Sequence, residues 1–285
     1  GRRPEEQSGA ARARRGAPVT IRIAAVGDVH VGLDSRGRLA PWLADVGTCA
    51  DVLLLAGDLT QVGEVVEAEV LVGELAEATV PVVAVLGNHD LHSDQGDEVA
   101  AVLEAGGVIV LEGGTAEVAV GDVSLGIAGV AGFGGGFPGR TASAFGEPEM
   151  KAFVHRTVES AARLEHALCS LDTDVRVALM HYSPVADTLG REPLEIYPFL
   201  GSYLLAEADD RAGADLALHG HAHRGSEQGV TPGGVRVRNV AQPVLGAPFR
   251  LFELDAVPRQ LRVGTGSAVG EPAVDGRGAG GTRHG

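Results

Sequence analysis

Three apolar segments near the start of the chain each end in glycine followed by a polar residue, and they recur at a constant interval. Asp28, Asp58 and Asn88 close these segments, and successive members of the set are 30 residues apart. That interval suits one strand–helix–strand unit. Residues 63–78, between the second and third segments, have helical periodicity. Apolar strands alternating with helices predict right-handed βαβ units and an α/β fold with helices on the sheet faces. The segments are TIRIAAVGD (20–28), DVLLLAGD (51–58) and VPVVAVLGN (80–88).

The rest of the chain predicts further elements of one domain over residues 19–266, with disordered tails at 1–18 and 267–285. The dipeptide GD at 121–122, between two apolar runs, predicts a hairpin. The glycine-rich GFGGGFPGR (132–140) is expected to be a mobile loop without regular structure. Helices are predicted at 40–47, 95–107 and 147–171, strands at 175–184 and 214–225, and late antiparallel strands at 234–243 and 248–264.

Composition excludes several functional classes. Apolar residues make up 45% of the chain but aromatic ones only 4%, so the core is expected to be aliphatic. A formal net charge of −15 disfavours long nucleic acid and anionic membranes as partners. No apolar run approaches the length that spans a membrane, and the basic N-terminus lacks the apolar stretch of a secretory signal. Cys49 and Cys169 are interpreted as reduced, semi-buried thiols of a cytoplasmic protein. An exposed sheet edge would support a homodimer.

Polar residues gather at the ends of five predicted strands, in GDVH, GDLT, GNHD, MHYSP and GHAH. Sites in open α/β sheets form at the carboxyl ends of strands, so these side chains are expected to converge. Three oxygen donors and four imidazoles are too many for one ion and suit two transition metals, and the glycines allow close backbone approach. The expected ligands are Asp28, His30, Asp58, Asn88, His181, His221 and His223.

The same residues resemble the calcineurin-like metallophosphoesterases. The family pattern runs Asp-x-His, Gly-Asp, Gly-Asn-His-Asp/Glu, a lone His and Gly-His-x-His. Its counterparts here are GDVH (27–30), GD (57–58), GNHD (87–90), His181 and GHAH (220–223), in the same order. The motifs span about 28–223. The resemblance implies a four-layer α/β/β/α sandwich of two mixed sheets flanked by helices, with the active site at the strand ends.

The resemblance also implies a role for each matched position. Asp28, His30 and His223 would hold a first divalent metal ion, Asn88, His181 and His221 a second, and Asp58 would bridge both. Manganese is the expected metal, with iron, zinc or magnesium as alternatives. The implied reaction is in-line attack on phosphorus by a metal-bridging hydroxide.

Several residues near the expected ligands are not themselves expected to bind metal. His89 would protonate the leaving oxygen or stabilise developing charge, and Asp90 would orient His89. His92 and Arg140 are candidates for the substrate side, although each also suits an exposed loop. His219 is interpreted as a strand-end residue and not as a ligand. Met180 and Tyr182 are interpreted as packing residues.

Departures from subfamilies narrow the expected activity. GDLTQVG lacks the arginine of the protein phosphatases. The DNA exonuclease branch is disfavoured, because the sequence has no room for its cap domain and is too acidic for its basic groove. The compact bacterial members similar to class III cyclic nucleotide phosphodiesterases fit best, which implies small phosphodiesters such as cyclic nucleotides. A phosphomonoesterase or nucleotide pyrophosphatase is the alternative. A non-catalytic protein-binding scaffold of the same fold is a third hypothesis, which the intact His89 and ligand positions disfavour.

Overall fold

The computed structural model describes residues 18–258, which contain thirteen strands and eight helices. The strands are β1 (Val19–Val26), β2 (Val52–Ala56), β3 (Val82–Val85), β4 (Ile109–Val110), β5 (Gly114–Val120), β6 (Val123–Val130), β7 (Gly136–Phe137), β8 (Arg140–Thr141), β9 (Val175–Met180), β10 (Leu216–His219), β11 (Gln228–Val230), β12 (Arg236–Asn239) and β13 (Arg250–Ala256). The helices are α1 (Ala40–Leu43), α2 (Val46–Cys49), α3 (Val65–Leu75), α4 (Gly96–Ala105), α5 (Pro148–Ser170), α6 (Tyr197–Leu200), α7 (Tyr203–Ala212) and α8 (Gln242–Leu245). Single 3-10 turns lie at Leu33–Ser35, Ala186–Leu189 and Leu194–Ile196.

Two mixed sheets form the centre of the fold. The first has the order β13-β1-β2-β3-β4, in which β1 to β4 are parallel and β13 is antiparallel to β1. The second has the order β11-β12-β10-β9-β6-β5, in which the four inner strands are parallel and both edge strands antiparallel. In each sheet the inner parallel strands therefore end at one common edge.

The two faces of the second sheet pack in different hydrophobic cores. Leu125 and Ile127 of β6 belong to the large core shared with the first sheet, which also contains Leu103 of α4. Ala128 and Val130, with the opposite parity, pack in a separate core that includes residues of α5 and α7. Strand residues of alternating parity face opposite sides of a sheet. The architecture is therefore the four-layer α/β/β/α sandwich that the resemblance implied.

The sheets meet at the carboxyl ends of their strands. The backbone N–H of Gly27, just after β1, donates to the carbonyl of Val240, just after β12. The imidazole Nδ1 of His181, directly after β9, lies 2.9 Å from the carbonyl oxygen of Ala56 at the end of β2. These contacts bring the ends of β1, β2, β9 and β12 into one region.

Several predicted elements differ from the structure. The helix predicted at 40–47 is two short helices, α1 and α2. The strand predicted at 234–243 is antiparallel to β11 but parallel to β10. Cys169 is exposed, whereas Cys49 is half-buried as expected.

The prediction of an unstructured loop at 132–140 is wrong. Its second half begins the two-stranded β7–β8 ribbon, and Phe137 is buried. The backbone N–H groups of Gly135 and Gly136 donate to the carbonyls of Pro198 and Gly201. These hydrogen bonds to the α6 region fix the conformation of the glycine-rich segment, which its composition alone did not suggest.

The chain ends lie largely outside this description. The tails predicted at 1–18 and 267–285, apart from Pro18, fall outside the described residues, as do residues 259–266 of the predicted domain. Within residues 18–258, no helix combines the length and the apolar character needed to cross a bilayer.

Candidate metal centre

Two groups of ligand-type side chains meet at the shared edge of the sheets. Ligand atoms of the first group lie within 4.8 Å of one another, and so do those of the second. Asp58 belongs to both groups, so the two form one continuous site. The first group is Asp28, His30, Asp58 and His223, and the second is Asp58, His181 and His221.

The first group is organised around the buried carboxylate of Asp28. His223 Nε2 lies 2.8 Å from Asp28 Oδ1 and 3.4 Å from His30 Nε2. Asp28 also accepts the backbone N–H of His221, at 3.0 and 2.9 Å to its two oxygens. His30 Nε2 is 3.9 Å from Asp58 Oδ2, which places it between the two carboxylates.

Charge in this group is balanced between Asp28 and His223. Burial acts to raise the pKa of Asp28, but the hydrogen bond with His223 and the nearby imidazole of His181 outweigh it and lower that pKa. The hydrogen bond to Asp28 raises the pKa of His223 in turn. The buried carboxylate therefore stays ionised and requires a positive partner, either an imidazolium or a cation.

Three acceptor atoms lie close together at the second group, on His181, Asp58 and the neighbouring Asn88. His181 Nε2 lies 3.0 Å from Asn88 Oδ1 and 3.3 Å from Asp58 Oδ1. His181 Nδ1 donates to the carbonyl of Ala56, since a carbonyl oxygen can only accept. In the neutral imidazole, Nε2 then carries a lone pair that faces two oxygens. A divalent cation among these atoms would satisfy all three, and Asn88 lies where it could serve as a ligand of the second group.

His221 is also oriented through a backbone carbonyl. Its Nε2 donates to the carbonyl of Phe199 at 3.2 Å, which leaves Nδ1 as the unprotonated nitrogen. Burial, together with the nearby His181, lowers the pKa of His221 to about 3. The ring is therefore neutral near pH 7, which is the form that binds metals.

Backbone strain is concentrated at the same residues. Among the described residues, five other than glycine have positive φ, and four of them are in the site: Asp28, His30, Asp58 and His221. Such conformations cost on the order of 1–3 kcal/mol each and persist where surrounding structure over-determines them. The strain supports a functional role for the turns that follow β1, β2 and β10.

Two glycines allow the close approach that the motifs suggested. A Cβ on Gly87 would lie 2.2 Å from Asp58 Oδ1, and one on Gly220 would lie 2.2 Å from Asp28 Oδ2. Neither carboxylate can yield without leaving its hydrogen-bonded position. The glycine before Asn88 and the glycine before His221 are therefore spatial requirements of the two carboxylates.

His89 stands at the opening of the site. Its backbone N–H donates to Asp58 Oδ1 at 2.8 Å, and its ring lies 4.5 Å from that of His30. The side chain is 43% exposed, and its Nε2 is 4.0 Å from Asp58 Oδ2. His89 therefore combines contact with the candidate metal ligands and access to solvent.

The predicted role of Asp90 is wrong. His89 Nδ1 bonds the carbonyl of Gln61 at 2.7 Å. Asp90 is fully buried and accepts from the N–H groups of Leu59, Thr60 and Gly87 and from the Thr60 hydroxyl. Asp90 thus holds the turn after β2 against the turn after β3. The role of Gln61 leaves no signal in the sequence, because it acts through its backbone carbonyl, which no side-chain motif reveals.

The structure brings neither predicted substrate-side residue into the two ligand groups. His92 is exposed, and only its backbone N–H reaches the carbonyl of His89, at 3.1 Å. Arg140 is exposed on β8, paired with Phe137. His219 ends β10 as expected and is buried, with Nε2 2.8 Å from the Thr188 hydroxyl.

Comparisons with known proteins identify the fold and the family. A solved phosphopantetheinyl hydrolase from Mycobacterium tuberculosis is 18% identical and covers 77% of this chain and 88% of its own, with a TM-score of 0.53. The structure of TT1561 from Thermus thermophilus is 18% identical and covers 83% of this chain and 99% of its own, with a TM-score of 0.49. At these identities the first likeness supports the fold alone.

The chain matches a family model but no curated protein. The family model for calcineurin-like phosphoesterase matches residues 21–225, a range that includes every residue of the two ligand groups. The chain therefore belongs to the calcineurin-like phosphoesterase family of phosphoester-hydrolysing enzymes.

Proposed function

We propose that the protein is a dinuclear-metal-dependent hydrolase of small phosphodiesters, with cyclic nucleotides as the model substrate class. The observation that carries the proposal is the position of Asp58, whose carboxylate is shared by two groups of ligand-type side chains. A carboxylate has two oxygens and can serve two ions at once. The family is dinuclear-metal dependent, and this arrangement fits it.

The donor set supports two hard or borderline cations. In the proposal Asp28, His30 and His223 hold one ion, Asn88, His181 and His221 hold the other, and Asp58 bridges them, as the family resemblance implied. Nitrogen and oxygen donors without thiolate suit manganese, and iron, zinc or magnesium also accept such ligands. Two bound divalent ions supply activation of water and neutralisation of charge on the phosphoryl group.

In the proposal, the protein's own residues hold the metal ligands in place and protonate the leaving oxygen. Asp28 and Asp58 stay at fixed points because each accepts a backbone N–H, from His221 and His89 respectively. His89 is turned by the carbonyl of Gln61 so that Nε2 is directed away from that hydrogen bond. In the protonated imidazole, Nε2–H can donate to the leaving oxygen. A positioned acid of this kind typically contributes roughly 10²–10⁴-fold to the rate.

Charge at the site favours a diester over a monoester. Within residues 18–258, the side chains of the two ligand groups form no hydrogen bond or ion pair with arginine or lysine. A phosphomonoester near neutral pH carries more negative charge than a diester, since its second pKa is about 6. Ligand groups that bring no arginine or lysine into contact with the metal ions are better matched to the single charge of a diester.

A cellular setting follows from the thiols. Cys49 is half-buried and Cys169 is exposed, and both are free. Free thiols persist in reducing compartments. We therefore propose a cytoplasmic location, which fractionation of producing cells would test.

The test is hydrolysis of two chromogenic substrates by protein stripped of metal and reloaded with manganese. We expect turnover of bis(4-nitrophenyl) phosphate only after reloading, and slower turnover of 4-nitrophenyl phosphate. Faster hydrolysis of the monoester would replace the proposal by a phosphomonoesterase. Protein that binds two ions yet hydrolyses neither ester would contradict a general phosphodiesterase activity.

A further inference from the structure

Four aromatic side chains from separate parts of the chain form a connected cluster beside the metal centre. We call Phe133, Phe153, Tyr182 and Phe199 the aromatic rim. Ring centroids are 5.9 Å apart for Phe133 and Tyr182, 5.0 Å for Phe133 and Phe153, and 6.2 Å for Phe153 and Phe199. These separations are typical of interacting aromatic rings. The chain has only seven phenylalanines and three tyrosines, so the concentration at this place is pronounced.

The rim is continuous with the candidate metal ligands. The ring of Tyr182 lies 4.4 Å from that of His221 and 5.4 Å from that of His181. The carbonyl of Phe199 accepts the hydrogen bond that orients His221. A molecule held at the metal centre therefore has aromatic surface directly next to it.

The rim borders the second core, against which Tyr182 packs, and is only partly buried. Phe199 is 59% exposed, while Phe133, Phe153 and Tyr182 are half-buried. The two main cores are built almost wholly from aliphatic residues and alanine. Partly exposed aromatic surface beside a candidate site, with Phe199 as its exposed member, is suited to binding a ligand.

A cation borders the rim. The guanidinium of Arg156 lies over the ring of Phe133, 4.4 Å from its centroid. Arg156 is exposed and forms no ion pair within residues 18–258. In a chain with net charge −15, an unpaired arginine beside a phosphoester site favours a substrate that is anionic as a whole, as a nucleotide is.

From these contacts we infer that the aromatic rim binds the nucleobase of a nucleotide substrate, while the metal centre holds its phosphate. This inference rests on the proposed phosphodiesterase function and narrows its substrates to esters that carry a planar ring. Every base has a π-face, so stacking on aromatic side chains tolerates differences among bases. Phe199 and Phe153 are the stacking residues, because Arg156 already covers Phe133.

The experiment compares two ligands that differ mainly in the base. Binding of uridine 5′-monophosphate and of ribose 5-phosphate to the manganese-loaded protein is measured by calorimetry. We expect the nucleotide to bind at least about fivefold more tightly, the lower end of what stacking of one base provides. F199L is expected to remove most of this preference.

A matched control and a second variant keep the comparison decisive. F145L makes the same substitution at a side chain that is 85% exposed and has no ring contact among the described residues, and it should retain the full preference. F153L tests the second stacking ring. Equal binding of both ligands by the wild-type protein, or full preference in both F199L and F153L, would overturn the inference.

Hydrolysis of bis(4-nitrophenyl) phosphate by the same samples separates this inference from the proposed function. Hydrolysis without any preference for the nucleotide overturns the stacking role of the rim and leaves the phosphodiesterase proposal standing. A clear preference lost in F199L, with no hydrolysis, supports the rim and counts against the phosphodiesterase.

Discussion

Backbone carbonyls orient three of the histidines at the metal centre. Ala56 directs His181, Phe199 directs His221 and Gln61 directs His89, at 2.9, 3.2 and 2.7 Å respectively. A hydrogen bond on one ring nitrogen selects the tautomer and so decides which nitrogen faces the site. The carboxylates of Asp28 and Asp58 are thereby left for charge balance and metal binding.

Replacement of His89 by alanine should separate acid–base chemistry from metal binding. H89A is expected to keep both metal ions yet lose roughly 10²–10⁴-fold in kcat, because one positioned acid typically contributes that much. Elemental analysis and steady-state hydrolysis of bis(4-nitrophenyl) phosphate measure the two effects. H166A, at an exposed histidine of α5, is the control and should match the wild type. Loss of metal from H89A would show that His89 is a ligand.

Replacement of Asp90 by asparagine should act on stability. The Asp90 carboxylate accepts four hydrogen bonds from the turns after β2 and β3, and an amide group cannot accept them all. We expect D90N to lower the free energy of unfolding by about 1–3 kcal/mol. Urea unfolding measures the loss of stability. The control is D122N, at an exposed residue of the β5–β6 hairpin. Unchanged stability with impaired turnover would instead support a direct catalytic role.

At the scale of elements, the turns after the strands carry the site. The turns after β1, β2 and β10 hold Asp28, His30, Asp58 and His221 in positive-φ conformations that strands could not supply. Strand pairing fixes where each turn begins, and the turn geometry then aims the side chain. Short, strained turns on two rigid sheets therefore give the ligands fixed relative positions.

A pair of glycine substitutions tests this account of the turns. A Cβ on Gly220 would lie 2.2 Å from Asp28 Oδ2 and 2.9 Å from the carbonyl oxygen of Ala56, so G220A should displace Asp28. We expect G220A to lose metal from the first ligand group and nearly all turnover. Gly73, inside α3, has nothing within 4 Å of its added Cβ. G73A should keep full activity and gain about 0.5–1 kcal/mol of stability from helix propensity.

The readouts are metal content, turnover and the midpoint of urea unfolding for both glycine variants. Full metal content and activity in G220A would contradict the claim that Gly220 makes space for Asp28. A destabilised G73A would show that α3 does not have room for a methyl group at Gly73.

At the scale of the whole molecule, folding buries imidazoles that the unfolded chain exposes. His219 lies at the end of β10 with no exposed surface, and burial lowers its pKa to about 4. In the unfolded chain histidine titrates near about 6.5. Between these two pH values the unfolded state binds a proton that the folded state does not.

Stability should therefore fall as the pH is lowered from about 6.5 to about 4. The contribution of His219 is at most about 1.4 kcal/mol per pH unit. Urea unfolding of the metal-free protein at pH 7, 6 and 5 measures the slope, and H219Q should reduce it. Parallel slopes for the wild type and H219Q would contradict the lowered pKa.

Sequence and structure contributed differently to the site. The motifs predicted which residues would form the centre, and the structure brings Asp28, His30, Asp58, Asn88, His181, His221 and His223 together. The error at Asp90 has a physical cause. A carboxylate next to His89 in sequence points away from it, because four backbone and hydroxyl donors of neighbouring turns compete for it.

The sequence by itself determined the α/β class, the βαβ spacing and the residues at the strand ends, because strand burial and turn chemistry are local properties. Only the tertiary structure decided how Ala56, Gln61 and Phe199 orient the histidines, and that the aromatic rim assembles beside His221. Those contacts join residues distant in the chain, and carbonyl positions leave no trace in side-chain identity. Long-range packing therefore settled the details of the site that local pattern could not.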